Sequence, residues 1–424
     1  MPDLADMLTV GPKEGPDRVP CMEATFRAAS ARILISRTAL LHNVKVLRSR
    51  LAPAVRLCAM VKANAYGHDA AIVADALTNF CSDRLEAPAV DAFAVVTFEE
   101  ALALGSVQVP VMILRPVENA LLGANRSAIV EAIRSDWILT VSSPAAADDL
   151  ARIAMSINRR ANVQVMLDTG CAREGTPPAE FPAVVRAIDA HPSLRLHAIC
   201  THFVSSEEPE NPFTQEQLRR FNRVTGELAA SHPHLLRHAA NSGAIFFTPH
   251  AHLDMVRPGI ALYGVDPSGR PHIDRPLRPV LKWVAPLAMI RQLQPGDCVG
   301  YNQTWRATRS TRIGLVPVGY ADGYCRAFSN TARMMIRNRA VPVVGRVSMD
   351  YTTIDLTDVP DAQAGDTVTV LDNDPLSPAS VYALSELANT IPYEVFTRIG
   401  PRMTRVAVEP ADVSAPCSLE RKTA

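Results

Sequence analysis

In R56-L-C-A-M-V-K-A-N-A-Y-G-H68 a short apolar run, Arg56–Val61, stops at a lysine, and a helical stretch, His68–Thr78, follows. An apolar strand that ends in polar residues and passes into a helix is the repeating unit of a parallel βα architecture. The unit recurs downstream. Further strands are expected at Ala92–Val96, Pro110–Leu114, Trp137–Val141, Asn162–Leu167, Leu196–Cys200, Leu236–Ala240 and Leu253–Val256. Helical stretches such as Phe98–Leu104 and Thr214–Ala230 fall between them, the latter with Leu218, Phe221, Val224 and Leu228 at helical spacing. Eight strands close a (β/α)8 barrel. The fold expected is therefore α/β: a TIM-type barrel over residues 31–278, followed by a mainly-β domain over residues 279–408. In that second part strand-like runs (Arg312–Val318, Ala340–Val344, Tyr351–Asp355, Asp366–Leu371) are interrupted by one short helix, Val381–Asn389. Residues 1–30 and 409–424 read as polar, proline-containing tails.

Barrel enzymes gather their chemistry where the strands end, because the βα loops converge there. The residues after the expected strands obey that rule. Strand one ends in Lys62. Strand five leads to Asp168-Thr169-Gly170 and Arg173, strand six to Thr201-His202, strand seven to Asn241-Ser242-Gly243, and strand eight to Arg257-Pro258-Gly259. Lysine is scarce, five against 38 arginines, so Lys62 at the end of an apolar strand draws notice. With its stem desolvated such an amine loses proton affinity and becomes nucleophilic toward a carbonyl, forming a Schiff base. A salt-bridged or snorkelling lysine is the competing reading of the position alone.

Asn241-Ser242-Gly243 and Gly259-Ile260 follow strands seven and eight, where many barrels bind a phosphate through backbone N–H groups and a hydroxyl. Tyr66, just beyond Lys62, can donate to the same anion. A turn explains N-S-G alone equally well. A Schiff-base lysine and a phosphate cradle together suggest pyridoxal 5′-phosphate (PLP). Arg257 can then face the cofactor's ring nitrogen. A guanidinium does not give up its proton, so the electron sink is weakened and a substrate carbanion is short-lived. In the second domain V316-P-V-G-Y-A-D-G-Y324 sets Tyr320 on a glycine-flanked turn. S348-M-D350 and T390-I-P-Y393-E-V395 add further polar groups on loops.

Composition removes other classes. Of 424 residues 48% are hydrophobic and 20% charged, which allows a sizeable core and excludes a disordered chain. Lys+Arg and Asp+Glu are both 43, so no net field recruits nucleic acid or an anionic membrane. Eight cysteines without a C-x-x-C pair give neither a disulfide framework nor a zinc signature. With no apolar leader and no run long enough to span a bilayer, a cytoplasmic protein is expected.

V61-K-A-N-A-Y-G-H68, L167-D-T-G170 with Arg173, T201-H-F203, H238-A-A-N-S242, D254-M-V-R-P-G-I-A-L-Y-G264, V318-G-Y-A-D-G323, V344-G-R-V-S-M-D350 and Y393-E-V395 together resemble the alanine racemase family. The match runs in order from about residue 32 to 407. The resemblance implies a PLP-dependent homodimer that interconverts L- and D-alanine and supplies D-alanine for peptidoglycan. Residue by residue, it implies that Lys62 holds PLP and serves as base on one face of the substrate. Tyr320, supplied across the dimer interface, serves the other face. Arg257 pairs with the pyridine nitrogen, and His202 links that arginine to the tyrosine. Tyr66, Asn241, Ser242, Gly259, Ile260 and Tyr393 contact the cofactor, while Arg173 and the backbone of Met349 hold the substrate carboxylate. No metal site is implied.

Two positions depart from the family pattern. Met166 stands where the family often has a lysine modified to a carbamate that orients the arginine, so a chloride ion or another side chain is left to orient Arg173. Ser348 stands where cysteine is common. The rival readings are a serine or broad-specificity racemase, against which Tyr393 favours a methyl-sized side chain, and a decarboxylase, against which Arg257 argues. A non-catalytic PLP carrier and a metal-dependent hydrolase suggested by His250-Ala-His252 complete the set.

Overall fold

The computed structural model describes residues 30–79, 88–118 and 126–409, so nearly all of the two tails lies outside the described residues. The eight strands expected of the barrel are its strands. They run Arg56–Met60, Ala92–Val95, Val111–Pro116, Ile138–Thr140, Ala161–Met166, Leu194–Cys200, Leu236–His238 and Met255–Val256, and they close in parallel register. Closure is direct: Arg56 pairs with Met255 and Leu57 with Val256. Most of the strands are largely apolar because the barrel interior covers one face and the helices cover the other. Leu57, Phe93, Ile113, Leu139, Val163, Ile199 and Val256 are all fully buried.

Several helices begin where the sequence provides caps. Thr97 and Glu100 form a reciprocal capping box, and Ser143 caps Pro144–Ser156 with proline in the first turn. The amphipathic stretch is a helix over Phe213–Ser231, with Phe221 fully buried.

The second domain is built on a six-stranded sheet with a three-stranded one beside it. In spatial order the larger sheet runs Arg339–Pro342, Arg333–Ile336, Thr367–Leu371, Leu281–Pro286, Arg32–Ser36, Thr404–Val408. Arg32–Ser36 thus stands apart from the barrel that the sequence reading begins at residue 31. It pairs antiparallel with Leu281–Pro286 and parallel with Thr404–Val408, burying Ile33 and Ile35 completely. The first and last described strands lie side by side in one sheet, which ties both ends of the described chain to the same domain. A second difference concerns Tyr393. The segment read as a loop is a helix, Pro392–Thr397, started by proline at its first position and packed against the turn that follows Lys62. It follows the expected helix, here Val381–Leu387.

Candidate active site

A cavity of about 390 Å³ opens at the carboxyl ends of the barrel strands, within the range that holds a small organic ligand. Lys62, Tyr66, Arg173, His202, Asn241, Ser242, Arg257, Gly259, Ile260 and Tyr393 line it. Ten of the twelve residues singled out from sequence therefore meet at one mouth. Tyr320 and Met349 do not line the cavity of their own chain. They are 44% and 54% exposed, on adjacent loops joined by hydrogen bonds from Tyr320 N to Ser348 O and from Ala321 N to Met349 O (both 3.0 Å).

Lys62 opens a turn of unusual hand. Ala63, Asn64, Ala65 and Tyr66 all have φ between 51° and 54°, the left-handed region that costs roughly 1–2 kcal/mol per L-residue. Hydrogen bonds hold it there. Ala65 N donates to Val61 O and Gly67 N to Ala63 O (both 2.9 Å). The Glu100 carboxylate accepts from Ala63 N, and the Asn64 side chain from Ala70 N (both 2.8 Å). The turn carries Tyr66 back over the cavity, where its hydroxyl lies so near Gly259 that a Cβ there would sit 2.4 Å from it. Burial lowers the Lys62 amine's proton affinity, and the Arg173 charge adds to that, while Glu174 and Glu100 oppose it.

Opposite the lysine, Ser242 Oγ accepts from Gly259 N (2.9 Å) and Ala261 N (3.2 Å), joining the loops after strands seven and eight. Asn241 caps the helix Ser242–Phe247 through Ala244 N and accepts from Ser206 Oγ at 2.5 Å. Tyr393 closes the rim beside Tyr66, their ring centroids 6.0 Å apart, and burial pushes its hydroxyl's pKa up.

Arg257 is buried, and its imidazole partner is His238, not the expected His202. Nη1 meets His238 Nδ1 at 2.5 Å, and Nη2 donates to Thr201 O at 2.7 Å. His202 lines the cavity without a hydrogen bond to the guanidinium among the described residues. Burial, then the charges of Arg257, Arg173 and Lys62, push His202 down to about 3. A neutral His238 suits the geometry, since its Nδ1 must accept from Arg257; burial lowers its pKa well below the usual histidine value. Arg257 Nε has no partner among the described residues and is available to a ligand in the cavity.

Four polar residues of the site, His238, Glu174, Glu207 and Thr397, were not assigned from sequence. His238 lies inside a motif quoted above, and Glu174, Glu207 and Thr397 line the cavity. The acidic neighbour in R173-E174 was the available signal for Glu174. His250 and His252 lie away from the mouth, bonded to Gln215 Oε1 and Ile245 O. Among the described residues no group of three or more His, Cys, Asp or Glu gathers to hold a metal ion. Nor is any described helix long and apolar enough to cross a membrane.

Fold and cavity define a class: a two-domain barrel enzyme whose mouth presents a desolvated amine and two guanidinium groups to one small ligand. Comparison with known proteins narrows the class. Residues 35–267 match the model of the alanine racemase N-terminal domain and residues 280–407 that of the C-terminal domain. Curated alanine racemases from Chlorobaculum tepidum and Syntrophobacter fumaroxidans are 38% and 35% identical, each over 88% of this chain and over 94% and 96% of their own length. Among solved structures, alanine racemase from D-cycloserine-producing Streptomyces lavendulae superposes with a TM-score of 0.79 at 31% identity, covering 90% of this chain and 97% of that one. One from Bartonella henselae with covalently bound pyridoxal phosphate gives 0.75 at 30%, covering 90% and 100%. The chain belongs to the alanine racemase family. Its activity is that family's, the interconversion of L- and D-alanine, and the family is PLP-dependent.

Proposed function

We propose that this enzyme binds PLP in the mouth cavity and racemises alanine with two bases, Lys62 of one subunit and Tyr320 of the partner subunit. The donor set supports the cofactor. The cavity is lined by a desolvated amine, by the hydroxyl groups of Tyr66 and Ser242 with the backbone of Gly259 and Ile260, and by Arg257 with its free Nε. When bound, PLP supplies the electron sink that acidifies the substrate's α-hydrogen. The protein's own groups do the rest. Lys62 would hold the cofactor's aldehyde carbon and would move a proton at Nζ on one face of the substrate. Arg257 would hold the ring nitrogen as a donor that does not give up its proton. Arg173 and the Met349 backbone hold the substrate carboxylate, and Tyr393 limits the side chain.

The carrying observation is the convergence of Lys62, Arg173 and Arg257 on one cavity. The exposure of Tyr320 and Met349 supports a homodimer in which each mouth is completed by the partner subunit. A cytoplasmic enzyme supplying D-alanine for peptidoglycan is the corresponding cellular role.

Incubation with L-alanine in D₂O tests the reading. The PLP-loaded enzyme is expected to give D-alanine with deuterium at the α-carbon, faster than it converts L-serine. Lys62→Ala is expected to lose both this exchange and the visible absorbance of bound PLP. Wild-type protein that binds PLP without exchanging the α-hydrogen would reduce the function to carriage.

A further inference from the structure

Arg173 rides on a loop that is closed on itself. Thr176 N donates to Met166 O (2.7 Å) and Asp168 N to Thr176 O (2.9 Å), which fastens both ends to barrel strand five. The Asp168 carboxylate accepts from the N–H groups of Gly170, Cys171 and Ala172 at 2.8, 2.9 and 3.2 Å. At Gly175 an added Cβ would lie 2.6 Å from Asp168 N, so a larger residue would push the return limb away. This framework fixes the backbone under Arg173. Its side chain remains 52% exposed on a long stem, and an anion must order whatever freedom is left.

The walls near the guanidinium offer it little. Met166 is apolar, and a thioether is a weak acceptor. Glu174 differs: its Oε2 pairs with Arg173 Nε, and both residues line the cavity. Glu174 takes the side edge of the guanidinium. The Nη1–Nη2 fork carries no hydrogen bond among the described residues, and that edge suits a carboxylate in two-pronged contact.

We propose that Glu174 is a positioning residue: by holding Nε it keeps the Arg173 fork turned to the cavity, organised in advance for the substrate carboxylate. The proposal rests on the reading of Arg173 as carboxylate holder.

Propionate, which carries the carboxylate of alanine without its amine, is the probe, titrated calorimetrically into PLP-loaded protein. Glu174→Ala is expected to weaken propionate binding on the order of fivefold to tenfold and to raise KM for alanine, with kcat and PLP content nearly unchanged. Glu174→Gln, whose amide oxygen still accepts from Nε, is expected to recover most of the loss. Arg173→Ala should weaken propionate at least as much, and Glu174→Ala added to it should change nothing further. Propionate binding unaffected by Arg173→Ala would remove the carboxylate reading itself, and the proposal with it. An effect of Arg173→Ala that Glu174→Ala does not share, or one to which it simply adds, would overturn the Glu174 proposal alone. So would a Glu174→Ala loss in kcat and PLP content rather than in KM, which marks a structural role.

Discussion

At the scale of single residues the site is a set of groups whose proton affinities burial has shifted. The Lys62 amine is lowered, and His202 is pushed down to about 3, so the imidazole that faces the cavity is neutral at physiological pH. Buried histidines also leave a signature on stability. His68 is fully buried against Tyr263 and Phe396 and is likewise pushed down to about 3 by desolvation. Unfolded histidine takes its proton near 6.5, whereas these two do so in the native protein only near 3. Their stabilisation is therefore complete above pH 6.5 and is lost as the pH falls from there toward 3. Each contributes a slope of up to about 1.4 kcal/mol per pH unit. The melting temperature is expected to drop between pH 7 and 5, and His68→Leu is expected to flatten the drop whatever it does to stability at pH 7. An unchanged slope in that variant would mean that His68 is protonated in the folded chain. Residue identity was legible where a strand end announced it, as for Lys62 and Arg257. The partnership of Arg257 with His238 was not, because it depends on which side chains meet inside the closed barrel, and strand order alone does not say.

At the scale of elements, most barrel strands were readable because burial on both faces makes them short, largely apolar runs. The left-handed turn over Ala63–Tyr66 was not. Alanine and tyrosine carry no mark of positive φ and asparagine marks single residues rather than a run of four; the turn exists because Glu100, Asn64 and the neighbouring carbonyls hold it. Arg32–Ser36 escaped for another reason, since its partners lie some 250 and 370 positions away in sequence. Gly67, which ends the left-handed turn, is a position beside the site that is sensitive to change. Its φ is 80°, and a Cβ there would lie 2.3 Å from Phe396 O in the helix that carries Tyr393. Gly67→Ala is expected to cost about 2 kcal/mol or more, from the strained φ together with the clash. Because the clash displaces either Tyr66 or Tyr393, PLP affinity is expected to fall with the melting temperature. Calorimetric unfolding and PLP titration check the two effects separately, and a stable variant that binds PLP weakly would place the displacement in the rim alone.

At the scale of the whole molecule, the two domains divide the proposed machinery so that one chain does not complete it. The barrel holds Lys62, while Tyr320 and Met349 stand exposed on the second domain. Their loops are nevertheless firmly built. The buried carboxylate of Asp322 accepts from Gly319 N (2.9 Å) and from Arg402 Nε (2.5 Å), and Arg402 reaches on to Asp350 at 2.7 Å, tying the Tyr320 turn to the Met349 loop. A rigid, solvent-facing pair of loops is what a two-fold assembly needs if each copy finishes the other's mouth. Complementation between two defective chains follows from that arrangement. Tyr320→Phe is expected to keep the absorbance of bound PLP while racemisation falls at least ~100-fold, the usual scale of a missing general base. Lys62→Ala is expected to be inactive. In a mixed dimer both defects gather in one mouth, and the other mouth is wild type. Random reassociation of equal amounts makes half of the dimers mixed, so activity is expected to return to about a quarter of the wild-type value. Recovery should track the population of mixed dimers as chains exchange. If mixed dimers form, as shown by differently tagged chains purifying together, and activity stays at the level of the separate variants, Lys62 and Tyr320 serve the same mouth within one chain.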